Sequence, residues 1–483
     1  MKKLIALMLA LSLCAVGALC FFGIRINEAC DAVTITENVL FGDVGYAEGI
    51  TVQTRSHYNY HLFWDTTNTV DSPASTYTEY TFSAQQDFPI GGHTYNGVTL
   101  DIDLQYGYDL RTPIDEQTGL KRAYRELYEE TAPGTKGTKT IRLQDYYTYY
   151  PIRVAIDLPG TLWQGNDYDR LTDGQQNERA VWDAFNAFFK IPIPEDLPAF
   201  DITLTKNERG DGIGTGSNGS GIHFDIYPVT TYTDSQCFFA IGNRFHSSES
   251  IKDEFVNTDL IPGGYGIYAF SWRNVQTAAN TSGNITYWHD GYETGVDEAS
   301  LAMVYPLAQE TKVFYMTTSP DQTQLLLLTR EHGSVWFTVI DIATMTELQK
   351  FKVSEEKYSV IKTAPDFLVI DGEETLSVIE RQSDATYRLS FIVDRQPDLV
   401  DYSPHRGLRA QMDFDGERLV IVDQVYNTYY GTTTFCNFNL AVYDKTGLLY
   451  FGEYQSSLST AFNPNQYAFN CLPLELSVAL RKR

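Results

Sequence analysis

Basic residues are scarce in this chain: 36 Lys and Arg stand against 62 Asp and Glu, a formal charge of −26. A surface this acidic repels phosphates instead of neutralising them, so no nucleic acid is expected as a partner. Cysteine is scarcer, with six in 483 residues. Cys14 and Cys20 fall in an apolar N-terminal run, and Cys30, Cys237, Cys436 and Cys471 make no CxxC and no Cys/His spacing suited to zinc. A Cys436–Cys471 bridge suits a location outside the cytosol, and small buried thiols in a β-core are the equal alternative. GxSxG and HExxH are both missing, which removes the usual nucleophile elbow and the usual zinc-protease helix. No metal site and no cofactor are expected, and whether the protein is an enzyme stays open, with a non-catalytic role favoured.

What the chain has in quantity is aromatic residues, 33 Tyr and 27 Phe, with 43% hydrophobic residues overall. Broad rings pack well on pleated surfaces, so the composition favours a β-rich folded protein over a disordered one. At this length two or three domains, or one repeat architecture, can each bury a core.

The N-terminus reads MKKLIALMLALSLCAVGALCFFGIRINEACDA, with Lys2 and Lys3 ahead of an uncharged run from Leu4 to Ile24. A run of that length can cross a hydrocarbon core of about 30 Å. Lysines on the near side keep the N-terminus in the cytoplasm and place the body outside it. The run is expected to be an uncleaved anchor, because it continues through Phe21, Phe22 and Ile24. A cleaved signal peptide, with Ala18 and Cys20 before the cut, is the rival, and would make the protein secreted. A lipobox is disfavoured by Leu13 before Cys14 and Leu19 before Cys20.

Beyond residue 32 the pattern is mostly strand. Stretches such as STYTEYTFSAQQDF and NGVTLDIDLQYGYDL mix β-branched and aromatic residues with polar ones near period two. Two helices interrupt them. Residues 118–134 carry Leu120, Tyr124, Leu127 and Tyr128 at helical spacing and end at Pro133–Gly134. Residues 172–194 carry Val181, Trp182, Phe185, Phe188 and Phe189 on one broad face and stop at Pro192. The expected segments are 1–32 (lysine pair, apolar segment and linker), 33–200 (β-rich with two helices) and 201–483 (propeller-like, with 33–200 separate or in one ring).

The final third is the most regular. Four short strands fall between 311 and 353, four more between 357 and 393, and a third series between 408 and 454, with LPLELSVAL at 472–480 left over. Four antiparallel strands repeating at about 40–50 residues is the period of a propeller blade. VIDIATMTELQKF and AVYDKTGLLYFGE both look like a strand ending in Asp, a Thr-containing turn and a return strand. Over roughly residues 300–483 the chain resembles bacterial β-propellers, without the WD dipeptide or the kelch double glycine. The resemblance implies architecture and attaches no activity. The fold class expected is therefore all-β dominated, with a β-propeller-like C-terminal region, two inserted helices and one N-terminal transmembrane helix.

Several stretches invite a site. NERGDGIGTGSNGSG (207–221) has six glycines in fifteen positions, yet IHFDIYP comes next without the Lys or the helix of a phosphate loop, so strand, mobile tip and returning strand is expected. MDFDGERL offers Asp413, Asp415 and Glu417, but Asp-Gly between apolar strands marks a hairpin. His57 and His61 lie too far apart along a strand to share an ion. His289 with Asp290, and Ser403 with His405 and Arg406, are adjacent in sequence only. QDYYTYYP and VYNTYYGTTTF place tyrosines in or beside loops, where exposed rings can hold a sugar or anchor a protein. Tyr146, Tyr147, Tyr429 and Tyr430 are accordingly the candidate ligand- or partner-binding residues. The leading expectation is an extracytoplasmic, membrane-anchored binding or assembly module with an unidentified surface ligand or protein partner. The rivals are a carbohydrate- or peptide-active hydrolase using acids in a propeller channel, and an accessory or sensory subunit of a membrane complex.

Overall fold

Alternation governs the body of the protein, as Phe200–Lys206 illustrates: Phe200, Ile202, Leu204 and Lys206 are buried while Asp201, Thr203 and Thr205 between them stay part-exposed. The computed structural model describes residues 2–30, 34–58, 62–70, 75–82, 95, 97–102, 119–159, 174–191, 193, 195, 197–218, 224–226, 228–241, 264–276, 292–308, 310–355, 358–372, 374–395, 410–427, 432–457 and 475–480. Among these, the strands form seven sheets and the chain divides into two compact units.

One unit comprises residues 1–93 and 354–483. Its first sheet runs in chain order through Tyr358–Thr363, Phe367–Gly372, Thr375–Arg381 and Tyr387–Asp394, all antiparallel. A second is built from Gln411–Phe414, Leu419–Asn427, Thr432–Asp444 and Gly447–Ser456, and receives Ile35–Gly42 as a fifth strand beside Gly447–Ser456. The third begins with Glu475–Ala479, which pairs with Thr51–Tyr58 and is followed by Leu62–Thr69 and Ser75–Phe82. The leftover strand near residue 480 thus completes a sheet made by early residues, while the earliest strand completes a sheet made by late ones.

Strand Leu419–Asn427 is apolar on both sides because it is covered on both. Leu419 and Ile421 pack with Val369, Val378, Phe391 and Val393 of the first sheet. Val420 and Val422 face the other way, with Phe438 and Leu440, onto Ala47, Ile50 and Val52. Antiparallel sheets stacked face to face in this manner are propeller-like.

The other unit, residues 94–353, has two further four-stranded meanders: Val229–Tyr232, Gln236–Ala240, Gly266–Gln276 and Tyr292–Pro306, then Lys312–Thr318, Gln324–Glu331, Ser334–Asp341 and Thr346–Ser354. Its two helices cover sheets, as their apolar faces require. Gly119–Glu130 lays Leu120, Ala123, Tyr124 and Leu127 on Ile141, Phe200, Ile202 and Leu204. Gly174–Phe189 lays Val181, Phe185 and Phe189 on Phe239, Tyr268 and Phe270.

The Asp-and-Thr turns recur as the sequence suggests. Thr344 donates its N–H and its hydroxyl to Asp341, and Thr446 does the same to Asp444. The glycine-rich stretch is a correction in part. The turn is Asn207–Asp211, organised by Asn207 Oδ1, which accepts from the N–H groups of Arg209 and Asp211. Gly212–Ser217 is itself the returning strand, paired with Phe200–Lys206. Glycines at alternate positions are tolerated there because the opposite strand supplies the buried side chains.

The N-terminal helix, Lys2–Cys30, contains the span Ile5–Arg25, of mean hydropathy 2.6 and with none of it buried. It is the one helix among the described residues long and apolar enough to cross a membrane.

Candidate functional site

In the unit formed by the two ends of the chain, three turns and one strand enclose a cleft of about 650 Å³. Each wall is held by its own hydrogen bonds. In the short turn at Val44–Tyr46, Asp43 accepts from the Gly45 N–H at 2.9 Å. In the Asp-Gly turn, Asp415 accepts from the N–H groups of Glu417 and Arg418 at 3.0 and 2.7 Å, and from the Arg418 guanidinium at 3.1 Å. Arg418 also donates to the Tyr46 carbonyl at 3.0 Å, which ties these two turns together. The third turn is the one fixed by Asp444 and Thr446, and the strand is Tyr387–Asp394, where Arg388 donates twice to Glu380 at 2.9 and 2.7 Å.

This bonding determines which charges remain for a ligand. Burial pushes the Asp415 carboxyl up, but the N–H groups of Arg418 and Glu417 and the Arg418 side chain outweigh it and hold the pKa below its ordinary value. Asp415, Arg418, Arg388 and Asp444 are therefore engaged within the fold. Lys445 and Glu417 also line the cleft, are exposed, and have no side-chain partner among the described residues. Ser390 and the half-exposed Tyr46 ring complete the wall. The arrangement offers one ammonium, one carboxylate, a hydroxyl and an aromatic face on backbone that is already fixed. Among the described residues no group of three or more His, Cys, Asp or Glu side chains is placed to hold a metal ion.

The structure brings Tyr146 and Tyr147 together on the helix Gly119–Glu130 in the other unit. Tyr146 donates to Glu126 at 2.7 Å and carries the Arg122 guanidinium 4.7 Å from its ring centre. That hydrogen bond, the largest influence on Glu126, helps lower the carboxyl's pKa, with Lys139 and Arg122 adding to it against burial. Tyr147 accepts from the Leu120 N–H at 2.9 Å, satisfying one of the open donors at the helix start, and burial raises its pKa. Both hydroxyls thus bond within the fold, and Tyr149 is the tyrosine of this stretch that stands exposed. Tyr429, Tyr430, Cys471, His61, His289, Asp290, Ser403, His405 and Arg406 lie outside the described residues, as does the side chain of Cys436, and with it the Cys436–Cys471 pair. Cys237 is fully buried, and burial pushes its thiol pKa up.

Sequence reasoning overlooked Lys445 and dismissed Glu417. Both belong to strong turn signals, Asp415-Gly416-Glu417 and Asp444-Lys445-Thr446-Gly447, but nothing local says that those two turns meet.

No family model matches the chain. No curated protein matches it in sequence. Among solved structures it is similar to a putative 6-phosphogluconolactonase from Bacteroides fragilis, at 8% identity and a TM-score of 0.28 over 83% of this chain and 93% of that one. It is also similar to Kluyveromyces lactis Hsv2, at 8% identity and 0.23 over 79% and 96%. A third is the Cps50 (Swd1) β-propeller domain of Myceliophteria thermophila, at 8% identity and 0.22 over 52% and 82%. Likenesses this loose carry no argument about activity.

Proposed function

We propose that the protein is a membrane-anchored binding module, with its body outside the cytoplasm and its cleft taking a short polypeptide segment that carries both signs of charge. The observation that carries this reading is the pair Lys445 and Glu417, without side-chain partners among the described residues and set on turns whose backbone is fixed by Asp444 and Asp415. With the backbone already ordered, binding has to order only the two side chains, which lowers the cost set against their interaction. A peptide suits them because it can answer an ammonium and a carboxylate at once, while its amides reach Ser390 and its side chains meet Tyr46. The net charge of −26 adds attraction at a distance for the cationic end of such a partner. Lys2 and Lys3 ahead of the apolar helix support the outward placement of the body.

The test is a peptide array of mixed-charge sequences probed with the full chain in detergent micelles, alongside Lys445→Glu and Glu417→Lys. A set of bound peptides that each reversal changes in charge preference supports the cleft. Binding that both variants retain unaltered, or no binding by the parent protein, refutes it.

A further inference from the structure

Ile35–Gly42 occupies the edge of its sheet, with Gly447–Ser456 as its one neighbour among the described strands. Its register slips: Val39 lies opposite Gly452 and Phe41 opposite Phe451, leaving Leu40 as an extra residue. In a regular strand, neighbouring side chains alternate between faces, and a bulge breaks that rule. Here three consecutive apolar side chains stand open, Val39 at 46%, Leu40 at 42% and Phe41 at 37% exposure. Gly42 then turns the chain away at φ +77°, against the Leu449 carbonyl where no side chain fits. Edge strands in soluble proteins usually carry charge at such positions.

We infer that Val39, Leu40 and Phe41 sit in the interfacial layer of the membrane that the N-terminal helix crosses, so that the body is docked on the bilayer as well as tethered to it. This rests on reading the helix as an anchor. Chain length keeps the bilayer within reach of the patch. The helix ends at Cys30 and the strand starts at Ile35, so the strand begins within about 20 Å of the helix end at roughly 3.5 Å per residue. Composition agrees, since two aliphatic residues and a Phe form an apolar set of the kind that settles at headgroup depth. Charge narrows the lipid. Glu37 and Asp43 bracket the three side chains in the chain and both accept hydrogen bonds within the fold, so the contact itself is apolar and needs no anionic headgroup.

The experiment uses the full chain in phosphatidylcholine proteoliposomes, with Phe41→Trp as reporter and Leu40→Trp as a second in case the first perturbs the strand. Emission of the parent, with its six Trp, is subtracted. Leu348→Trp, on an exposed strand position of the other unit, is the control. Flotation with the liposomes reports the helix separately. The expected result is a blue-shifted added emission from both reporters, lost to lipid brominated near the headgroup and retained with lipid brominated at the chain end, with the control unquenched. Flotation without quenching of either reporter overturns docking and leaves the anchor standing. A blue shift that depends on protein concentration and ignores bromine assigns the patch to a second copy and overturns it too. Failure to float overturns both the anchor and the docking.

Discussion

Tyr454 donates a hydrogen bond to Glu37 over 3.1 Å, joining residues 417 positions apart in the chain. Tyr450 donates to the same carboxylate oxygen and lies 2.8 Å from the Tyr454 hydroxyl, while the Tyr454 ring stacks on Phe438 at 4.8 Å. The first strand of the body is thereby bonded through side chains, as well as backbone, to one of the last.

Replacing Glu37 by Leu leaves two almost wholly buried phenols one acceptor short. A loss of about 1–3 kcal/mol is expected from unsatisfied buried groups, with Glu37→Gln milder because it keeps an acceptor. Urea unfolding of the three proteins measures this, and equal stability of parent and Leu variant counts against the triad.

Alkaline pH should weaken the protein through these tyrosines. Burial is the main cause that raises the pKa of Tyr450 and of Tyr454, followed for Tyr450 by its bond to Glu37 and for Tyr454 by Tyr450. In the other unit burial pushes Tyr268 up to about 12. Above the ordinary tyrosine value of 10.0 the unfolded chain loses phenolic protons that the folded chain keeps, so stability falls as pH rises from there through the folded values. Denaturation midpoints should fall as pH is raised from about 8 to about 11, a range that brackets the ordinary tyrosine pKa, and Tyr450→Phe with Tyr454→Phe should make the fall shallower.

Acid acts on the cleft through Asp415. Its folded pKa lies below the ordinary aspartate value of 3.8, so its stabilisation is complete above that value and is lost as pH drops through the folded one. Asp415→Ala removes acceptors for Arg418 and for two N–H groups, at about 1–3 kcal/mol. The variant's stability should also vary less with pH below about 4, where the parent carboxylate titrates. A parent-like acid limb in the variant tells against this role.

Phe185 is the heaviest single test of the second unit. It is fully buried, stacked on Phe239 at 5.8 Å and 6.0 Å from Phe270. Phe185→Ala should cost about 3–5 kcal/mol, whereas Ala187→Gln on the exposed side of the same helix should stay within about 0.5 kcal/mol. Thermal melts of both variants distinguish a packing helix from one that merely lies nearby.

Much of the fold was legible as local pattern. Period-two stretches and Asp-led turns located the strand series from 311 to 454, and periodic aromatic and aliphatic positions located Gly119–Glu130 and Gly174–Phe189. The lysines before an uncharged run located the one long apolar helix among the described residues. These are effects between residues a few positions apart, where backbone geometry alone determines which side chains share a face.

The tertiary structure decided which distant pieces meet. Nothing in Ile35–Gly42 names Gly447–Ser456 as its neighbour, and nothing in Glu475–Ala479 names Thr51–Tyr58. Tyr146 bonds to Glu126 twenty positions away, and Lys445 and Glu417 come to line one cleft only because their turns meet. The reason is physical: spacing along the chain sets the direction of each side chain, but its partner is chosen by the burial and hydrogen bonding of the whole unit, to which residues hundreds of positions apart contribute together.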